Sequence, residues 1–264
     1  MGFAKFYEDL VSRYNADNRS ASLPRPATGF VGSSPLNPPK KGNPTVSRLK
    51  EFTAPTARPL PVILLADISG SMAEDGKIQS LNFAVKEMFE TLQDESDLRA
   101  EIQLAVITFG GKAQVHLPLG PAKAASWSDF TAKGGTPMGA AFDLARDLIE
   151  DTSIIPSRAY RPTIVLVSDG QPTPPGSEVE PLRRLLESER GAKAFRMALA
   201  IGADADHTVL QGFLSDPAAR VHRAEEARQI RSFFQLVTMS VSSRSRSADP
   251  NGTPFRFQDD GWDL

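Results

Sequence analysis

The chain has 264 residues, a formal net charge of −2, 40% hydrophobic and 23% charged residues, and no cysteine. That balance suits one sizeable α/β domain with extensions, or two small domains, and offers no basic field for nucleic acid or an anionic membrane. The lack of cysteine excludes disulfides, thiolate catalysis, zinc–cysteine sites and iron–sulfur clusters. With no apolar stretch near the roughly 20 residues that span a bilayer, and no long apolar region at the start, a soluble cytoplasmic protein is expected.

Residues 1–58 read as a Pro-rich extension. An amphipathic opening over roughly residues 3–14 predicts a short helix. A Pro/Gly/Ser/Asn stretch follows, holding Pro24, Pro26, Pro35, Pro38, Pro39, Pro44 and Pro55. Such a stretch has too little apolar surface to offset its ordering entropy. Nine Lys or Arg against four Asp or Glu make it basic, about +5, and it reads as a linker or a docking arm.

From residue 59 to 241 strand and helix patterns alternate. Val62–Asp67 is an unbroken apolar run ending in an acid, the mark of a strand buried on both faces. Lys77–Leu92 places Ile78, Leu81, Ala84, Val85, Met88, Phe89 and Leu92 on one helical face. Glu101–Phe109 and Ala113–Leu117 read as strands joined by Gly110-Gly111, a link so short that the pair must be antiparallel. Helix Met138–Ile149, strand Thr163–Val167, helix Val179–Glu189, strand Phe195–Ile201, helix His207–Phe213, a brief strand over Arg220-Val221-His222 and a closing helix Glu225–Met239 follow. The pattern predicts a doubly wound, mostly parallel six-stranded sheet with one antiparallel edge strand, a Rossmann-like α/β arrangement. Residues 242–264 read as a tail, Ser/Arg-rich and then acidic, ending in aromatics interleaved with acids (Phe255, Phe257, Trp262 among Asp259, Asp260, Asp263).

Chemistry concentrates where the first strand ends. Asp67-Ile68-Ser69-Gly70-Ser71 sends a carboxylate and two hydroxyls from alternate positions, all hard oxygen donors suited to Mg²⁺ or Mn²⁺. Thr136, after Gly134-Gly135, offers a hydroxyl at a helix start, and Asp169 emerges from the end of another buried strand. A right-handed doubly wound sheet sets such ends side by side, so Asp67, Ser69, Ser71, Thr136 and Asp169 are expected to converge on one ion.

Enzyme readings compete poorly. A haloacid-dehalogenase-type phosphatase wants a second carboxylate where Ser69 stands, and Gly-x-Ser-x-Gly and the phosphate-binding Gly-x4-Gly-Lys-Ser/Thr are both missing. His116, His207 and His222 follow no catalytic or zinc spacing. A metal-dependent phosphohydrolase remains the weaker alternative, and a structural subunit held mainly by its tails the stronger one.

Asp-x-Ser-x-Ser, then Gly-Gly-Thr-Pro, then Ser-Asp-Gly resembles the von Willebrand factor A domain, over roughly residues 60–241. The resemblance implies a metal-ion-dependent adhesion site. Ser69, Ser71 and Thr136 would offer oxygens to the metal, Asp67 and Asp169 would act largely through bound waters, and an open position would take a partner's Asp or Glu. Met72, Trp127, Pro137 and Gln171 are the expected partner-binding rim. Within the family the chain looks most like bacterial tellurium-resistance TerY-type proteins. That implies a stress-response or defence setting and partners such as a PP2C-type phosphatase, a protein kinase or an AAA+ ATPase.

Overall fold

A computed structural model describes residues 57–95 and 99–252. The N-terminal docking arm expected before Ala57 and the acidic-aromatic end of the tail lie outside the described residues. Among the described residues six strands form one sheet: β1 (Arg58–Asp67), β2 (Ala100–Gly110), β3 (Lys112–Pro121), β4 (Thr163–Ser168), β5 (Phe195–Ile201) and β6 (His222–Ala224). Their order is β3-β2-β1-β4-β5-β6, with β3 antiparallel to β2 and every other pair parallel. Among the described residues, five α-helices cover it: α1 (Lys77–Asp94), α2 (Met138–Glu150), α3 (Val179–Glu187), α4 (His207–Leu214) and α5 (Ala227–Arg246).

The apolar run of β1 is buried because it is central and covered on both sides. Alternate residues point to opposite faces. Leu60, Val62, Leu64 and Ala66 pack with Leu81, Val85 and Phe89 of α1 and Phe234 and Val237 of α5. Ile63 and Leu65 pack with Met138, Phe142 and Leu148 of α2 and Phe213 of α4.

β1 begins four residues earlier than the apolar pattern suggests, at Arg58. The added stretch contains Pro59 and Pro61, and proline cannot donate to a ladder. Here Pro59 carbonyl accepts from Tyr160 N at 2.8 Å, which turns residues 59 and 61 toward β4. Pairing with β4 starts only at Val62↔Thr163, so no ladder bond is lost.

The C-terminal boundary moves. The helix expected to stop at Met239 continues to Arg246, and Ser242, Arg244 and Ser245 are buried. The stretch from Ser242 therefore does not start a tail. Arg244 donates from Nη1 to Thr163 Oγ1 (2.5 Å), from Nη2 to Arg161 carbonyl (2.8 Å) and from Nε to Pro250 carbonyl (2.9 Å), with its guanidinium 3.9 Å from the centre of the Phe195 ring. Burial, with the charge of Arg161 behind it, pulls its pKa down to about 9. Asn251 Oδ1 accepts from Arg161 N at 2.8 Å, so the chain after α5 turns back and closes the amino end of β4.

Candidate metal-binding site

The five oxygen-bearing residues meet at the carboxyl end of β1 and β4. These neighbouring parallel strands pair in register up to Ala66↔Val167. The next residues are Asp67 and Ser168, and Ser168 Oγ donates to Asp67 Oδ2 at 2.5 Å. Asp67 Oδ1 accepts the backbone N–H of Ser69 at 2.8 Å, which bends the chain straight after the strand. Ser69 Oγ and Ser71 Oγ are 3.0 Å apart, and Ser71 Oγ donates to Asp169 Oδ1 at 2.8 Å. A methyl group built on Gly170 would stand 3.7 Å from Ser71 Oγ and 3.8 Å from Thr136 Oγ1, so both hydroxyls face the space beside that glycine. Asp67, Ser69, Thr136 and Asp169 are buried and Ser71 is half-buried.

Two glycine loops brace this edge. Gly70 N donates to Gly134 carbonyl (2.8 Å), Gly111 N to Gly135 carbonyl (2.7 Å) and Lys133 N to Ile68 carbonyl (2.7 Å). Gly110-Gly111 is the expected hairpin turn, and it is also a wall of the site. A Cβ on Gly110 would lie 2.4 Å from Ile68 carbonyl oxygen, so only glycine lets the Asp67–Ser71 loop come so near.

Burial is the main influence on Asp67 and pushes its carboxyl up to about 6. Hydrogen bonds from Ser168 and Ser69 oppose it, and the nearby Asp169 charge adds to it. Lys77, the first residue of α1, places Nζ 2.9 Å from Asp169 Oδ2. Burial draws its pKa down, but the bond to Asp169 and the charges of Asp169, Glu74 and Asp75 outweigh that and raise it.

The donor set fits a divalent metal ion: three hydroxyls converge with two buried carboxylates, and all are hard oxygens. No group of three His, Cys, Asp or Glu side chains with metal-holding geometry occurs among the described residues. A metal here would thus be held largely by hydroxyls.

The expected rim divides. Pro137 is half-buried directly after Thr136, and Gln171 is exposed directly after Gly170; both stand beside the site. Met72 does not belong to a rim. It is 0% exposed and packs in the core, because the turn after Ser71 drives its side chain under α1. Trp127 is displaced as well: its ring packs edge-on to Phe89, 5.3 Å between centroids. Phe89 is twelve residues along α1 from Lys77, about 18 Å at the helical rise. Trp127 belongs instead to an aromatic cluster with His116 and Phe130.

Sequence reasoning missed Ser168 and Lys77. Ser168 was legible as the residue beside Asp169 at a strand end. Lys77 carried no such signal, since a lysine opening an amphipathic helix reads as solvated.

Residues 62–171 match the family model described as von Willebrand factor type A domain. The fold is that of a von Willebrand factor type A domain. A von Willebrand factor type A protein from Catenulispora acidiphila aligns with a TM-score of 0.56 at 19% identity, over 70% of this chain and 43% of its own. The open conformation of the pilus adhesin SpaC from Lactobacillus rhamnosus GG aligns with a TM-score of 0.56 at 16% identity, over 72% and 31%. Proximal thread matrix protein 1 from the mussel byssus, with a zinc-occupied MIDAS motif, aligns with a TM-score of 0.53 at 15% identity, over 70% and 48%. The chain thus spans less than half the length of each. No curated protein matches it. The family model and these structures carry the domain, and neither carries the tellurium-resistance subgroup. No helix among the described residues is long and apolar enough to cross a membrane.

Proposed function

We propose that this chain is a non-enzymatic interaction module that uses a divalent cation, Mg²⁺ or Mn²⁺, to capture an Asp or Glu of a protein partner. The observation that carries the reading is the convergence of Ser71 and Thr136 on the space beside Gly170, with Asp169, Ser69 and Asp67 joined to Ser71 through hydrogen bonds. Ser69, Ser71 and Thr136 would hold the ion, and Asp67 and Asp169 would supply charge and orientation. When bound, the cation offers positive charge to an incoming carboxylate. That contact gains strength where water is excluded, so the rim, with Pro137 and Gln171, sets specificity. A solved structure of the same fold with a zinc-occupied MIDAS motif supports the reading.

The setting we favour is a bacterial, cytoplasmic stress-response or defence system such as tellurium resistance. Its partners there are a PP2C-type phosphatase, a protein kinase or an AAA+ ATPase. The sequence resemblance alone supports that part. Partner capture from native lysate with wild type, with Asp67→Ala and with EDTA tests the metal-dependent core. Loss of the same partner in both treatments is expected, and undiminished capture in both would remove the reading.

A further inference from the structure

The cation already in this site belongs to the protein. We infer that Lys77 is a built-in counter-ion that holds the metal-free site in shape and sets how weakly or tightly it takes a divalent ion. The inference rests on the metal-binding reading above and concerns its regulation.

The geometry is specific. Asp169 is 1% exposed and uses both oxygens inside the site: Oδ1 accepts from Ser71 Oγ at 2.8 Å and Oδ2 from Lys77 Nζ at 2.9 Å. The Lys77 side chain is itself only 15% exposed. It passes over the turn after β5, where a methyl on Gly202 would stand 3.6 Å from Nζ. Glu74 and Asp75 add negative charge from the preceding turn.

Two opposed effects follow. Without a metal, two buried carboxylates share one site, and an unpaired buried charge is costly. The ammonium neutralises Asp169 and keeps Ser71 and Asp169 aligned. When a divalent ion enters, the same ammonium either repels it from a few ångströms or must give up Asp169. At partly buried spacings that opposition is worth about tenfold or more in affinity. Lys77 therefore favours a preformed site with modest metal affinity, which a partner's carboxylate completes by adding negative charge.

The test is isothermal titration of the full chain with MnCl₂ and with MgCl₂, together with thermal unfolding in EDTA. The proteins compared are wild type, Lys77→Met, Lys77→Arg and Asp67→Ala. Lys77→Met is expected to bind Mn²⁺ about tenfold or more tighter than wild type and to unfold at lower temperature without metal. Lys77→Arg, which keeps the charge, is expected to stay near wild type in both. If Lys77→Met does not fold, Lys77→Gln keeps a donor without the charge and is expected to show the same gain in affinity. Unchanged or weaker binding in the neutral variants overturns the inference, as does a Lys77→Arg protein that behaves like Lys77→Met. If wild type binds and Asp67→Ala does not while Lys77→Met is unaltered, only the role of Lys77 fails. If neither wild type nor the neutral variants bind a cation, the metal-binding reading fails with it.

Discussion

Arg244 Nη1 lies 2.5 Å from Thr163 Oγ1, tying the last turn of α5 to the first residue of β4. Two carbonyls, of Arg161 and Pro250, accept from two more of its N–H groups, and no carboxylate is among these partners. Replacing it with methionine would strand the buried acceptors on Thr163 and Pro250 and free the part-buried carbonyl of Arg161. An expected loss of about 2–4 kcal/mol follows from unsatisfied groups bonded to a charged donor. Urea unfolding of Arg244→Met checks this, and a change below half a kcal/mol would show that the C-terminal segment does not close the domain.

Gly134 is held at φ +70°, and a methyl there would stand 2.5 Å from Gly111 Cα. Gly134→Ala therefore meets both left-handed strain, about 1–2 kcal/mol, and a backbone clash that only movement of a loop relieves. It is expected to destabilise the fold by at least that amount and to weaken metal binding by shifting Thr136, measured by calorimetric titration. Gly120 has nothing within 4 Å of an added methyl; Gly120→Ala is the control and should leave metal binding unchanged.

Met72 fills the core rather than the rim, at 0% exposure. Truncation to alanine should cost about 2–5 kcal/mol of stability, the range for a buried methionine-sized cavity. Partner binding by the folded fraction should be close to wild type. Gln171→Ala should do the reverse, leaving the denaturation midpoint unchanged and lowering partner affinity. Equal effects of the two substitutions on affinity would restore Met72 to the rim.

His116 is packed against Phe130 and Trp127, with ring centroids 4.9 and 5.9 Å away, and its Nε2 lies 2.9 Å from Ser128 carbonyl. Burial holds its pKa below the ordinary 6.5, and the bond to Ser128 only partly restores it. As pH falls through 6.5, the unfolded chain takes up a proton that the folded chain refuses. The contribution of His116 to stability is therefore complete above 6.5, declines between 6.5 and the folded value, and is constant below that. Over that window wild type should lose stability faster than His116→Gln, by at most about 1.4 kcal/mol per pH unit. Chemical denaturation of both proteins from pH 7.5 to 5 measures the difference, and parallel curves would exclude it.

How much was legible from sequence follows from which forces act locally. The run Val62–Ala66 reports its own burial because a strand covered on both faces has no polar side to show. Asp67, Ser69, Ser71, Thr136 and Asp169 were legible because each stands at a strand end or helix start, where parallel topology gathers side chains whatever the details of packing. Met72 was misplaced because the turn that follows Ser71 determines whether residue 72 faces solvent or the core, and nothing in its neighbours signals that. The Ser/Arg stretch after Val241 was misread for the opposite reason. Its polarity resembles a solvated tail, whereas Ser242 and Ser245 are buried and Arg244 finds acceptors 81 and 83 residues away in sequence.

The sequence by itself determined the alternation of strands and helices, the antiparallel edge pair and the set of oxygens at the sheet's carboxyl end, since these depend on periodicity and on residues adjacent in the chain. Only the tertiary structure decided that Lys77 neutralises Asp169, 92 residues away. It alone decided that Trp127 leaves the rim for Phe89 and that the domain runs on to close over β4. Those are pairings between distant segments, and a charge or an aromatic ring shows its partner only when the chain has folded to bring the two within a few ångströms.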